Sequence, residues 1–177
     1  MAVQTIRLAG DPVLRTQCKK FAVSSLASAR GLVEDLRDTL LDFRKREGMG
    51  RGIAAPQIGV GQRALYVFTP DFQGEMLNPL IVSHGSKEVF YWDACFSFKA
   101  AFFVKVLRHE EIEVTFFDLS GKRRTLKAKG GLSELLQHEI DHLDGILFVD
   151  RAIKDSHGRY PLIMREEWEK LGRPSLV

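Results

Sequence analysis

The sequence predicts an α+β fold, and three observations carry that expectation. Apolar residues recur three and four positions apart in two separate stretches, residues 24–46 and 132–145, which is the mark of amphipathic helices. Between them, residues 76–128 break into short apolar or aromatic runs parted by turn residues, as strands do. A glycine-rich stretch at 48–62 runs into the strand-like ALYVF at 64–68.

Taken in order, Gly10, Asp11 and Pro12 open a turn before the short apolar run of GDPVLR, a segment suited to docking the N-terminus. From Ser24 or Ser25 to Arg46, Leu26, Ala29, Leu32, Val33, Leu36, Leu40 and Phe43 fall on one helical stripe. Glu34, Asp35, Arg37 and Asp38 take its wet face, and Gly48 stops it. The stretch GMGRGIAAPQIGVGQ carries five glycines; flexible turn chemistry or close backbone approach to a ligand would each account for them. It has no Gly-Lys-Ser/Thr ending and no Gly-x-Gly-x-x-Gly between a strand and a helix, which disfavours nucleotide binding. EIEVTFFDLSGKRRTLKA at 111–128 reads as two strands around Asp118, Ser120 and Gly121. In LSELLQHEIDHLDG, Leu132, Leu135, Leu136, Ile140 and Leu143 recur at helical spacing up to Gly145, so at least one side of this helix is buried. The tail beyond Ile153 is richer in charge, and 165–171 adds one short helix without defining another domain.

With 177 residues against about 150 for a typical domain, residues 1–177 are expected to form one domain, with about 154–177 as a variable C-terminal extension. A net charge of +3 names no specific nucleic-acid partner. Cys18 and Cys95 are the two cysteines, too few for a disulfide scaffold, so a reducing compartment and hence the cytoplasm is expected. No apolar run approaches the roughly 20 residues of a membrane span, and the N-terminal segment lacks the basic start and apolar centre of a leader.

The chemistry concentrates in His138-Glu139-Ile140-Asp141-His142. Residues four apart share a helical face, so both imidazoles can converge on one metal while Glu139, rotated around the axis, reaches water there. A catalytic site of this type takes a third protein ligand and keeps one position open. Cys95, in the turn YWDACFSF, is the better candidate, and Cys18, in Lys-rich surroundings, the weaker. Asp141 and Asp144 read as ordinary solvent-facing acids.

These residues resemble the peptide deformylase family. The resemblance runs from GDPVLR to LFVDR at 147–151 and rests on Gly50-Arg51-Gly52-Ile53-Ala54-Ala55-Pro56-Gln57, similar to the family's GxGxAAxQ, and on Gln137 to His142, similar to QHExxH. It implies antiparallel β-sheets packed around a central helix that bears HExxH. It also implies hydrolysis of the N-formyl group from nascent polypeptides, N-formylmethionyl peptides above all, with release of formate. Cys95, His138 and His142 would hold one divalent metal, Fe2+ by family resemblance, while Zn2+, Ni2+ or Co2+ also suit one sulfur and two nitrogens. Glu139 would move protons, and Gln57 and the Phe96 backbone N–H would polarise the carbonyl. Asp93, in place of the family's glutamate, would pair with Arg108. Gly50, Gly52, Ile53, Phe96 and Leu135 are the expected substrate contacts, and Phe98, Phe102 and Phe103 either line an apolar wall or belong to the core. The family's EGCLS stands here as Asp93-Ala94-Cys95-Phe96-Ser97, and the substrate-facing arginine that follows it has phenylalanine near its place. The N-formylated nascent peptide is the expected partner, with transient ribosome association and no membrane. A divergent N-acyl-peptide hydrolase or metalloprotease, or a non-catalytic metal-stabilised peptide-binding module, are the other readings.

Overall fold

The computed structural model describes residues 2–172; the last five positions of the expected C-terminal extension lie outside the described residues. The chain runs α1 (Arg30–Glu47), β1 (Gly52–Ala54), β2 (Ala64–Phe68), β3 (Gln73–His84), β4 (Glu88–Asp93), β5 (Phe102–His109), β6 (Glu111–Phe117), β7 (Arg123–Lys129), α2 (Gly131–Leu143), β8 (Leu162–Met164) and α3 (Arg165–Lys170), with short 3-10 turns between. The strands form two antiparallel sheets, β1-β2-β3-β6-β7 and β4-β5-β8. Helix α2 packs against β1 and β7 of the first sheet and β5 of the second. This is the expected α+β arrangement around the motif-bearing helix.

The first helix begins later than its periodicity suggests. Val23–Ala29 winds as a 3-10 turn and the α-helix starts only at Arg30. Leu26, Ala29, Val33, Leu36, Leu40 and Phe43 are buried as the stripe requires, and Gly48 ends the helix in the left-handed conformation. Strand β1 lies inside the glycine-rich stretch, where only turn chemistry or ligand approach was expected. Its three residues alternate sides: Ile53 packs with the α1 core, while Ala54 joins the cluster around α2.

Strand β6 buries Ile112, Val114 and Phe116 in strict alternation, and pairs with β7 from Glu111↔Lys129 to Phe117↔Arg123. Asp118 closes that hairpin by accepting from Ser120 N–H and Lys122 N–H. Helix α2 is buried on every side from Leu132 to Leu143. Two of its polar residues bond strand backbone: Ser133 Oγ and Gln137 Nε2 both donate to His109 O, at 2.8 and 2.9 Å.

The N-terminal segment ties the pieces together. Arg7 N–H donates to Gln57 O, Ala9 N–H to Ser97 O, and Cys18 N–H to Leu143 O, each at 2.8 Å. These bonds join the glycine-rich loop, the cysteine turn and the end of α2. Among the described residues, no helix is long and apolar enough to cross a membrane.

Candidate metal and hydrolytic site

Strand pairing sets the positions of the charged supports. Asp93 faces Val104, and Val89 faces Arg108, so Asp93 and Arg108 project from the same inward side of β4 and β5. Cys95 follows two residues after Asp93 and starts the turn Phe96–Phe98. On α2, the four-residue spacing stacks Glu134, His138 and His142 along one face.

Cys95, His138 and His142 are all buried, and their donor atoms lie within 4.8 Å of one another. Cys95 Sγ is 3.1 Å from His142 Nε2. His138 Nδ1 is bonded to Asp93 Oδ1 at 2.8 Å, which leaves Nε2 for a metal. One thiolate sulfur and two imidazole nitrogens make a donor set for a divalent transition ion with a position left open, so these residues fit the implied metal. Cys18 instead sits in the core cluster beside Leu135 and Leu136.

Asp93 is one methylene shorter than the family's glutamate, yet it reaches both His138 and Arg108, whose Nη2 lies 3.3 Å away. Burial works against its charge, but His138 and Arg108 together hold its pKa below the ordinary value. Burial also works against the His138 imidazolium, and Asp93 overcomes this, raising its pKa well above the usual value. His142, buried beside the His138 charge, is pushed well below. Ala94 has no positive φ, so its methyl group is accommodated in ordinary backbone.

Asp141 is not the solvent-facing acid its position suggested. It is buried between Arg108 Nη1, at 2.5 Å, and Arg151 Nη2, at 2.8 Å; Asp144 remains at the surface, paired with Arg63. Arg108 thus bridges the cysteine turn to the histidine helix. Arg108→Ala would leave two buried carboxylates short of a cation and is expected to cost about 3–5 kcal/mol of stability. Urea unfolding measures it; a loss under about 1 kcal/mol would show that His138 and Arg151 suffice.

Glu139 is buried, and its Oε2 has no hydrogen-bond partner. Desolvation pushes its carboxyl up to about 7, with His138 opposing and Asp93 and Glu134 adding to the rise. Gly52 makes room for it: a Cβ there would sit 2.7 Å from Glu139 Oε1. Gln57 Oε1 accepts from Ala54 N–H at 2.9 Å, which turns Nε2 toward Cys95 Sγ at 3.4 Å. The Phe96 N–H is at the first position of its turn, where a backbone donor has no partner within the turn. The residues match the Polypeptide deformylase family model over positions 3–157.

The chain belongs to the polypeptide deformylase family. It is 36% identical over 178 residues to the peptide deformylase of Parafrankia sp. (strain EAN1pec), covering 99% of this chain and 93% of that protein. The crystal structure of the Thermotoga maritima peptide deformylase superposes with a TM-score of 0.78 at 28% identity, covering 85% of this chain and 98% of that one. The Met-Ala-Ser-bound class I type b peptide deformylase of Acinetobacter baumannii gives 0.75 at 27%, with 85% and 98% covered. Deformylases are metal-dependent hydrolases that act on nascent peptides.

Against the deformylase pattern, the cavity over these groups has features that the sequence did not announce. It holds about 300 Å³, the lower end for small-ligand sites. Gly50, Gly52, Phe96 and Leu135 line it. Ile53 does not: fully buried on the opposite face of β1, it belongs to the α1 core. Of the three phenylalanines, Phe103 lines the cavity, while Phe98 and Phe102 pack on Phe148 below Cys95. Glu134 and Arg51, bonded at 2.6 Å, occupy one wall, and Trp92 and Trp168 are also exposed to it. Glu134 could have been found from its four-residue spacing to His138; Trp168 gave no such signal.

Proposed function

We propose that this chain removes the N-formyl group from nascent polypeptides, formylmethionyl peptides first, with Cys95, His138 and His142 as the metal ligands. The observation that carries this reading is the buried three-donor group with the unpartnered Glu139 Oε2 beside it in a cavity that Gln57 also lines. A divalent ion held there, Fe2+ by family resemblance, would lower the pKa of water and polarise the formyl oxygen.

The chain's own groups carry the remaining steps. Glu139 takes a proton from the attacking water, whose oxygen adds to the formyl carbon. Gln57 Nε2 and the Phe96 N–H donate to the oxygen that gains charge in the tetrahedral species. The C–N bond then breaks, the Glu139 proton passes to the departing amine, and formate and a free amino terminus leave. Asp93 holds the His138 ring, and Arg108 holds Asp93. A short peptide suits this site, in keeping with the Met-Ala-Ser-bound structure of the Acinetobacter baumannii enzyme. Such a role fits the cytoplasm and transient work beside the ribosome.

The test is to incubate the metal-loaded protein with formyl-Met, formyl-Ala and acetyl-Met peptides and to measure formate, acetate and internal cleavage. Formate from formyl-Met peptides above all is expected. No formate at confirmed metal occupancy would sink the reading; acetate or internal cleavage in its place would make the chain an N-acyl-peptide hydrolase or a protease.

A further inference from the structure

We propose that Trp168 is a specificity-determining residue, forming with Phe103 an aromatic wall on which the second residue of a formyl-peptide packs. This rests on the deformylase reading above and assigns a part of the substrate that the metal group and Glu139 do not address.

Trp168 lies outside the 3–157 segment that the family model matches, yet its side chain lines the same cavity as Cys95 and Glu139. Its ring meets Phe103 at 4.9 Å between centroids and 46° between planes. Phe103 is fully buried, so the indole is the half-buried outer member of the pair. Cys95, His138, His142 and Glu139 are buried behind it. Helix α3 itself buries no residue, so Trp168 lines the cavity from its solvent side. A side chain one residue beyond the formylated one would meet this rim.

The wall is anchored at both ends. Strand β8 pairs with β5 through Phe102↔Met164 and Phe103↔Ile163. Arg165 N–H donates to Ala101 O at 2.9 Å, and its guanidinium donates to Glu47 Oε2 at 2.8 Å and Glu47 O at 2.9 Å at the end of α1. Six residues of helix would be marginal alone; these bonds hold the indole in register with Phe103. An indole face at a cavity mouth, backed by a buried phenyl ring, favours apolar and aromatic partners over small or charged ones.

The holoenzyme should therefore use formyl-Met-Phe amide with a lower KM than formyl-Met-Gly amide. In W168A, KM for formyl-Met-Phe amide is expected to rise about tenfold with kcat nearly unchanged, the sign of lost uniform binding. Formyl-Met amide, which has no second residue, should stay within about twofold, and W168F should restore most of the preference. W168L keeps apolar bulk without the ring and serves if W168A melts early. Calorimetry of formyl-Met-Phe amide with the metal-loaded E139A protein, with and without W168A, should show the same weakening without turnover. Equal losses on all three substrates, or an unchanged Phe-to-Gly ratio in a folded variant, would overturn the proposal. Formate release without a Trp168-dependent preference sinks the wall alone, whereas Trp168-dependent binding without formate release sinks the deformylase reading and leaves the wall standing.

Discussion

Replacing Glu139 by alanine is expected to lower kcat by about 10³-fold while metal content stays at the wild-type level. General acid–base groups contribute about 10²–10⁴, so three powers of ten correspond to about 4 kcal/mol of barrier. The geometry argues against the low end of that range. Glu139 Oε2 is buried without a partner, the missing side chain of Gly52 leaves room for Oε1, and burial raises the carboxyl to about 7. A group that must both take and return a proton works best near the ambient pH. Burying this side chain unpaired costs stability, so Glu139→Ala should unfold no more easily than wild type. Metal analysis beside single-substrate kinetics separates the roles: loss of metal in step with activity would make Glu139 a ligand or a support of the ligands, and unchanged turnover would remove it from the chemistry.

Much of this arrangement was legible in the sequence because two independent signals coincide on α2. Leucine spacing marks it as a helix, and the four-residue spacing of His138 and His142 needs a helix to mean anything. The hairpin of β6 and β7 was equally open to reading, since alternation and a turn of Asp118, Ser120 and Gly121 agree. What failed did so for physical reasons. Strand β1 has three residues, too few for a period of two to show. Asp141 reads as a solvent-facing acid, yet Arg108 on β5 bonds it in the interior, as Arg51 bonds Glu134 and His109 O accepts from Gln137 and Ser133. Periodicity reports where polar atoms are, and the partners that let them be buried come from elsewhere in the chain. Trp168 is harder still, because a six-residue helix has little periodicity and its position depends on Arg165 reaching Glu47.

Exchanging the two cysteines for alanine one at a time should split the chain's thiol roles completely. Cys95→Ala is expected to cut metal occupancy by at least tenfold and formate release with it, and Cys18→Ala to leave both within about twofold. The thiolate, not the thiol, is the ligand. Cys95 Sγ sits among His142 Nε2 and Gln57 Nε2, groups that a sulfur anion can face. Cys18 is buried in the apolar cluster against α2, and desolvation pushes its thiol up to about 11, Arg63 opposing and Asp144 adding. Forming the thiolate that a metal needs therefore costs more at Cys18 than at an ordinary thiol, which weakens it as a ligand. The raised value has a signed consequence for folding: the neutral thiol's contribution is complete below the ordinary thiol range and is lost as pH climbs toward about 11. Cys18→Ala should therefore flatten the decline of stability between about pH 9 and 11, apart from a pH-independent loss of packing. Metal analysis after gel filtration and urea midpoints across that range measure the two effects; retention of full metal by Cys95→Ala would overturn the ligand assignment whatever Cys18 does.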